Sequence, residues 1–175
     1  MPSRLRCGFS ILAVALALGA AGLARGEIYQ EPEAFLAEVF GSIPAPKVLW
    51  LNKEIQAEAS AILGHPPAQL RQRHWSDGRK SVWILEEVGK DELITAGFVV
   101  ADARIDHVRV LVYRESRGGE VRRSSFLKQF QDARLAPGNR LDRDIDGIVG
   151  ATLSVGAVER MARLALYFDR KSREQ

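Results

Sequence analysis

Between Ser81 and Tyr113 three runs read as strands, and the breaks between the runs are short. Residues 81–86 place Val82 and Ile84 on one side and Trp83 and Leu85 on the other. Residues 93–100 form a second run, and residues 105–113 a third, with Val108, Val110 and Val112 on one face. Such alternation is the mark of a half-buried strand. The turns around Gly89-Lys90 and at 102–104 are far shorter than the crossover of about a dozen residues that a parallel pair needs. An antiparallel meander of at least three strands follows. Gly97 interrupts the second strand, where a bulge or a close contact is expected.

Helical periodicity flanks the meander. Phe35, Leu36, Val39 and Phe40 recur at helical spacing, so 32–40 reads as a short amphipathic helix with Pro32 in its first turn. Pro44 and Pro46 end it, and 48–51 is a candidate short strand. Asn52 is a suitable N-cap for a helix over 53–63, and Gly64 a natural stop. Two helices ahead of a sheet form either an N-terminal docking region or a cover for one face of the core, and the cover is expected. After the meander, Ser124-Ser125 are placed to cap a short helix over 126–133. The broad apolar face of 155–170 predicts a last helix packed on the sheet. The fold class is therefore α+β: an antiparallel meander sheet with N-terminal helices, a short helix and a C-terminal helix packed on the sheet.

The first 26 residues have the form of a secretory signal. Arg4 and Arg6 make a basic start, 8–23 is an uncharged apolar run, and Ala24-Arg25-Gly26 offers small residues for cleavage. The run is short against the roughly 20 apolar residues of a spanning helix, so cleavage is expected over retention as an anchor. The organisation expected is a signal over 1–26, an N-terminal helical region over 27–73 and a main domain over 74–175. The chain has 25 Lys and Arg against 22 Asp and Glu. Loss of Arg4, Arg6 and Arg25, with no acid among the first 26 residues, leaves 22 of each sign. Nucleic acid is then not an expected partner, since such proteins carry a surplus of positive charge. Cys7 is the only cysteine and leaves with the signal, so no disulfide, Fe–S or c-type haem ligation is expected. His65, His74 and His107 show no metal-ligand spacing.

The chemistry concentrates in Asp146-Gly147-Ile148-Val149-Gly150-Ala151-Thr152-Leu153-Ser154, immediately before the last helix. Gly150 lets the chain turn sharply, Ala151 leaves room beside it, and Thr152 offers a hydroxyl that can become one arm of a phosphodiester. A helix start presents unpaired N–H groups and the positive end of the helix dipole, which suits a phosphate. Thr152 or Ser154 as a plain N-cap is the alternative.

The pattern D-x-x-x-G-A-T, followed by Ser154, resembles the flavinylation motif of the FMN-binding domain family. That family includes the periplasmic flavin subunits of the Rnf complex and of the sodium-pumping NADH:quinone reductase. Two further stretches support the resemblance. The strand Val108-Arg109-Val110-Leu111-Val112-Tyr113 runs into Glu115-Ser116-Arg117-Gly118, similar to the E-T-P-G turn of the family with Ser and Arg in place of Thr and Pro. Phe126-Leu127-Lys128-Gln129-Phe130 looks like its F-x-x-Q-F element. The similarity covers roughly 79–166. One departure is Val149, where the family often has Ser or Thr.

The resemblance implies FMN as cofactor, attached through a phosphoester to Thr152 by a dedicated flavin transferase. Gly150, Ala151 and Ser154 shape the attachment loop. Asp146 helps the transferase or its metal engage the motif, and Glu115, Ser116 and Gly118 line the flavin. It implies an exported, periplasmic or extracytoplasmic electron-transfer flavoprotein, free or membrane-associated, whose partner is a membrane or periplasmic redox protein. It is not a substrate-converting enzyme on this account: no G-x-S-x-G occurs, and no carboxylate pair stands with a histidine in a catalytic motif. The alternative is an unflavinylated adaptor for a membrane redox partner.

Overall fold

The computed structural model describes residues 27–175, so the expected secretory segment lies outside the described residues. In chain order the elements are β1 (Glu27–Ile28), α1 (Pro32–Phe40), β2 (Lys47–Trp50), α2 (Lys53–Leu63), β3 (Arg71–Ser76), β4 (Lys80–Val88), β5 (Leu93–Ala101) and β6 (Arg104–Tyr113). They are followed by α3 (Ser124–Leu127), a small hairpin of β7 (Leu135–Ala136) and β8 (Arg140–Leu141), and α4 (Thr152–Glu174). The main sheet has the order β1-β6-β5-β4-β3-β2 and is antiparallel throughout. The α+β class and the meander are as the alternation predicts. β3 spans the expected 73/74 boundary, and residues 27–73 contribute strands as well as helices to the one sheet.

Local signals set the helix ends. Asn52 caps α2 by accepting from the Ile55 N–H at 2.9 Å, and Gly64 closes it in the left-handed conformation. The two N-terminal helices do not share a face, contrary to expectation. Phe35, Leu36 and Val39 of α1 pack with Val82, Val99, Leu111 and Val112 on one side. Ile55, Ile62 and Leu63 of α2 join Met161, Leu164 and Phe168 of α4 over Trp83, Phe98 and Val110 on the other. Gly97 admits α1: a Cβ there would lie 2.3 Å from Cε1 of Phe35.

Two further expectations are corrected. Val108, Val110 and Val112 do not share one face. Thr95 pairs with Val112 while Ala96 pairs with Val110, so Leu111 is an extra residue in β6. This β-bulge turns Val112 toward α1 and sends the next side chain, Tyr113, toward α4. The segment 126–133 is not one helix. It is the single turn of α3 followed by a 3₁₀ turn at Lys128–Phe130, and no side chain caps it. The chain leaves helical geometry because it is drawn to β6: the Asp132 N–H donates to the Ile105 C=O, and the Ile105 N–H to the Ala133 C=O. Phe126, Phe130, Val110, Val112 and Leu164 are all buried.

Candidate functional site

The site forms where the bulged end of β6 meets the first turn of α4. Gly150 has φ 82°, left-handed backbone that glycine adopts without penalty, and the Ala151 N–H closes the turn on the Ile148 C=O at 2.9 Å. Ala151 is the N-cap residue and Thr152 the first residue of α4. Neither Thr152 nor Ser154 caps the helix. Thr152 is exposed, and its hydroxyl has no hydrogen bond among the described residues. Ser154 is buried, and its Oγ lies 3.0 Å from the phenol of Tyr113. The phenol in turn donates to the Arg117 carbonyl. With the phenolic proton committed there, the serine hydroxyl is the donor of the pair. Burial raises the phenol above its usual range, the bond to Ser154 opposes this, and the charges of Glu115 and Glu120 add to the rise.

The loop after β6 is held from both sides. Glu115 turns its carboxylate back onto the β4–β5 turn, where Oε1 accepts from the N–H groups of Lys90, Asp91 and Glu92, the last two at 2.7 and 3.0 Å. Burial pushes this carboxyl upward, but the three amides and the Lys90 charge outweigh it and hold it below the ordinary glutamate value. Gly89 makes the approach possible, since a Cβ there would stand 2.8 Å from Oε1 of Glu115. At the other end, Gly118 has φ 79° and is pressed onto α4, where a Cβ would lie 2.9 Å from both Ser154 Oγ and the Tyr113 oxygen.

The result is a cleft of about 580 Å³ between three segments: Lys90 and Asp91, Glu115 to Arg117, and Gly150 to Ser154. This is within the roughly 300–1,000 Å³ of small-molecule sites. Of the residues singled out in the sequence, Glu115, Ser116, Gly150, Ala151, Thr152 and Ser154 line it together. Gly118 forms the packing behind its wall. Asp146 is elsewhere, in a neighbouring hollow of about 230 Å³ that it shares with Arg123 and Gln129. Gln129 holds it there by its backbone, accepting from the Asp146 N–H at 2.7 Å and donating to its C=O at 3.5 Å. That gives the F-x-x-Q-F glutamine a physical role: it anchors the start of the loop that leads into α4.

Lys90, Asp91, Leu153 and Tyr113 were not singled out from the sequence. The Gly89-Lys90 turn was visible, but not that it reaches the start of α4. Tyr113 arrives through the bulge at Leu111, and alternation alone places it on the other face.

The residues present suit FMN. The first residues of α4 line the cleft, and the first amides of a helix lack intrahelical acceptors, which suits a phosphate. Lys90 and Arg117 supply cationic groups at its rim, and Leu153, 54 % exposed, offers an apolar surface beside Thr152. Comparison with known families matches residues 89–167 to the FMN-binding domain. No match was found among curated proteins or solved structures. Running from the glycine under Glu115 to Tyr167 of α4, the matched segment contains every element that builds the cleft, and the chain thus carries a domain of the FMN-binding family with FMN as its cofactor.

Proposed function

We propose that this flavin-binding protein carries FMN covalently on Thr152 and passes electrons through it. The observation that carries this reading is the state of Thr152: an exposed hydroxyl, without a hydrogen bond among the described residues, at the first helical position of α4 and lining the cleft. A threonine serving as a cap would have its hydroxyl engaged. When the phosphoester forms, Thr152 Oγ gives up its proton and bonds to phosphorus while a P–O bond of the flavin donor breaks. The proton leaves with that oxygen, as water from FMN or as a nucleoside monophosphate from a flavin dinucleotide, so the chain gains the mass of FMN less one water. The helix start and Lys90 stabilise the phosphate charge left on the diester. Glu115 and Gly118 fix the loop that walls the cleft, and Arg117 offsets negative charge on reduced flavin. The bound flavin supplies the redox chemistry, and the protein supplies attachment and electrostatics. Attachment needs a flavin transferase, for which the exposed Asp146, Gly147 and Val149 are the accessible handle.

The test is the intact mass of the protein made in a host that has the transferase. Wild type gains one FMN less one water and fluoresces on a denaturing gel. Thr152→Ala stays unlabelled and folded, and Thr152→Ser retains labelling at least in part. A fluorescent Thr152→Ala band places the attachment on another residue, and an unlabelled wild type refutes covalent attachment.

Export is part of the same proposal, because covalent attachment keeps FMN from diffusing away outside the cytoplasm. It rests on the n-region and apolar run of the first 26 residues. Among the described residues no helix is long and apolar enough to cross a membrane. N-terminal sequencing of the exported protein is expected to begin at Glu27. Recovery of the intact chain in membranes alone contradicts cleavage. The partner that gives or takes the electrons is, on this proposal, a membrane or periplasmic redox protein.

A further inference from the structure

The main sheet is split. β5 pairs with β4 along all of Lys80–Val88, but β3 pairs with it only at Ser81, Val82 and Trp83. The backbone direction beyond that point is fixed by two contacts. The Asp77 N–H donates to the Lys80 C=O across the hairpin at 3.3 Å, and Nε2 of Gln72 donates to the Ile84 C=O at 3.3 Å. Alternate residues of a strand bond to the same side, so Lys80, Val82, Ile84 and Glu86 all direct their N–H and C=O toward β3. Continued in register, Ile84 would meet Arg73 and Glu86 would meet Arg71. Instead Arg71–Arg73 stay with Trp50–Val48 of β2 and diverge from β4. Only the Gln72 side chain bridges the gap, and a slot of about 630 Å³ opens between the strands.

The two sides of the slot differ. Toward α4 and α2 it is floored by Leu51, Leu63, Leu85, Leu164 and Phe168, all buried. Toward α1 it carries Arg71 and Arg73, both exposed and neither in an ion pair among the described residues. Three carboxylates line the slot, and the buried one, Glu87, is paired with His65 and Arg160. Glu86 is engaged by Arg114 and Thr95, and Glu33 lies at the α1 rim.

We propose that this slot takes an extended segment of a partner protein as an added strand, with apolar side chains toward α4 and acidic side chains toward Arg71 and Arg73. Only another backbone offers donors and acceptors at strand spacing to the open edge at Ile84 and Glu86. An acyl chain would cover that edge and leave its polar groups unpaired. The unpaired arginines at i and i+2 on β3 share one face, so they select acids on alternate residues of the guest. The slot shares no residue with the Thr152 cleft, so the proposal stands whether or not Thr152 is labelled.

The experiment uses the FMN-loaded protein and two capped heptapeptides, one alternating valine with glutamate and one alternating valine with lysine. The glutamate peptide is expected to slow amide exchange at Ile84 and Glu86 at least tenfold, and to bind at least tenfold more tightly than the lysine peptide. Trp75, which lines the slot, reports binding through its fluorescence. The double variant Arg71→Glu, Arg73→Glu changes two exposed side chains and is expected to invert the preference. Exchange at Ile84 and Glu86 that neither peptide slows overturns the proposal, as does a glutamate peptide that binds wild type and variant equally. A saturable fluorescence response to a fatty acid, without slowed exchange from either peptide, assigns the slot to an acyl chain instead.

Discussion

Tyr113 is the side chain on which the two halves of the cleft at the start of α4 meet. Its phenol ties the Arg117 carbonyl of one wall to the Ser154 hydroxyl of the other. Removing that oxygen leaves a buried serine hydroxyl and a carbonyl without their partner, at a cost of about 1–3 kcal/mol. Tyr113→Phe is therefore expected to lower the unfolding free energy by that amount, read as a lower urea midpoint with the unfolding slope unchanged. FMN labelling of Thr152 should fall as the Ser116–Arg117 wall loosens. Unchanged stability would show that the phenol contributes no net bond. Unchanged labelling with lowered stability would confine Tyr113 to folding. Glu115 acts at the same scale through its three amide donors. Its depressed carboxyl contributes stability that is present above the ordinary glutamate range and lost as the pH falls through its lowered value.

At the scale of elements, the sheet is positioned by what it lacks as much as by what it holds. α1 sits close because β5 has no side chain at Gly97, and the ring of Phe35 fills the space. Gly97→Ala forces a methyl into that ring and is expected to destabilise by about 1–3 kcal/mol through overpacking. Phe35→Leu in the same chain should recover part of the loss, because a smaller side chain vacates the contact. A double variant no more stable than Gly97→Ala alone, by denaturant titration, would place the strain somewhere other than α1. The bulge at Leu111 works in the opposite direction: one extra residue in β6 re-aims Tyr113 from the α1 face to the start of α4. Packing on one face of the sheet is thereby coupled to the shape of the cleft on the other.

For the whole molecule, acid sensitivity follows from two histidines of opposite sign. His74 is buried, stacked on Trp83 at 4.4 Å, and its Nδ1 has no partner. Burial, helped by the Lys47 charge and opposed by Asp169, lowers its pKa from 6.5. The unfolded chain then binds a proton that the folded one refuses, so this stability is present above about pH 6.5 and is lost as the pH falls below it. His65 is raised instead, first by its bond to the Pro66 carbonyl and then by Glu87. Its contribution is complete below about pH 6.5 and is lost as the pH rises through its elevated value. His74→Phe keeps an aromatic ring against Trp83 and removes the titrating group. Its thermal midpoint relative to wild type is expected to be higher at pH 5.5 than at pH 7.5. An equal difference at both values would mean that His74 titrates normally.

Patterns that live in consecutive residues were legible from the sequence, because their causes are local. The three strand-like runs gave the meander, Asn52 and Gly64 marked the ends of α2, and Gly150-Ala151-Thr152 marked the turn into α4 and, with its flanking motifs, the family. The fold class and most of the residues around the cleft followed from these. Three things depended on partners distant in sequence. The bulge that turns Tyr113 exists only in the register of β6 against β5. The placement of α1 and α2 on opposite faces depends on Phe35 finding Gly97 some sixty residues away. The convergence of Lys90, Glu115 and Thr152 requires two turns and a helix start to meet at one end of the sheet. Local sterics and periodicity are written residue by residue, whereas register and packing are decided only when surfaces far apart in the chain compete for the same contact.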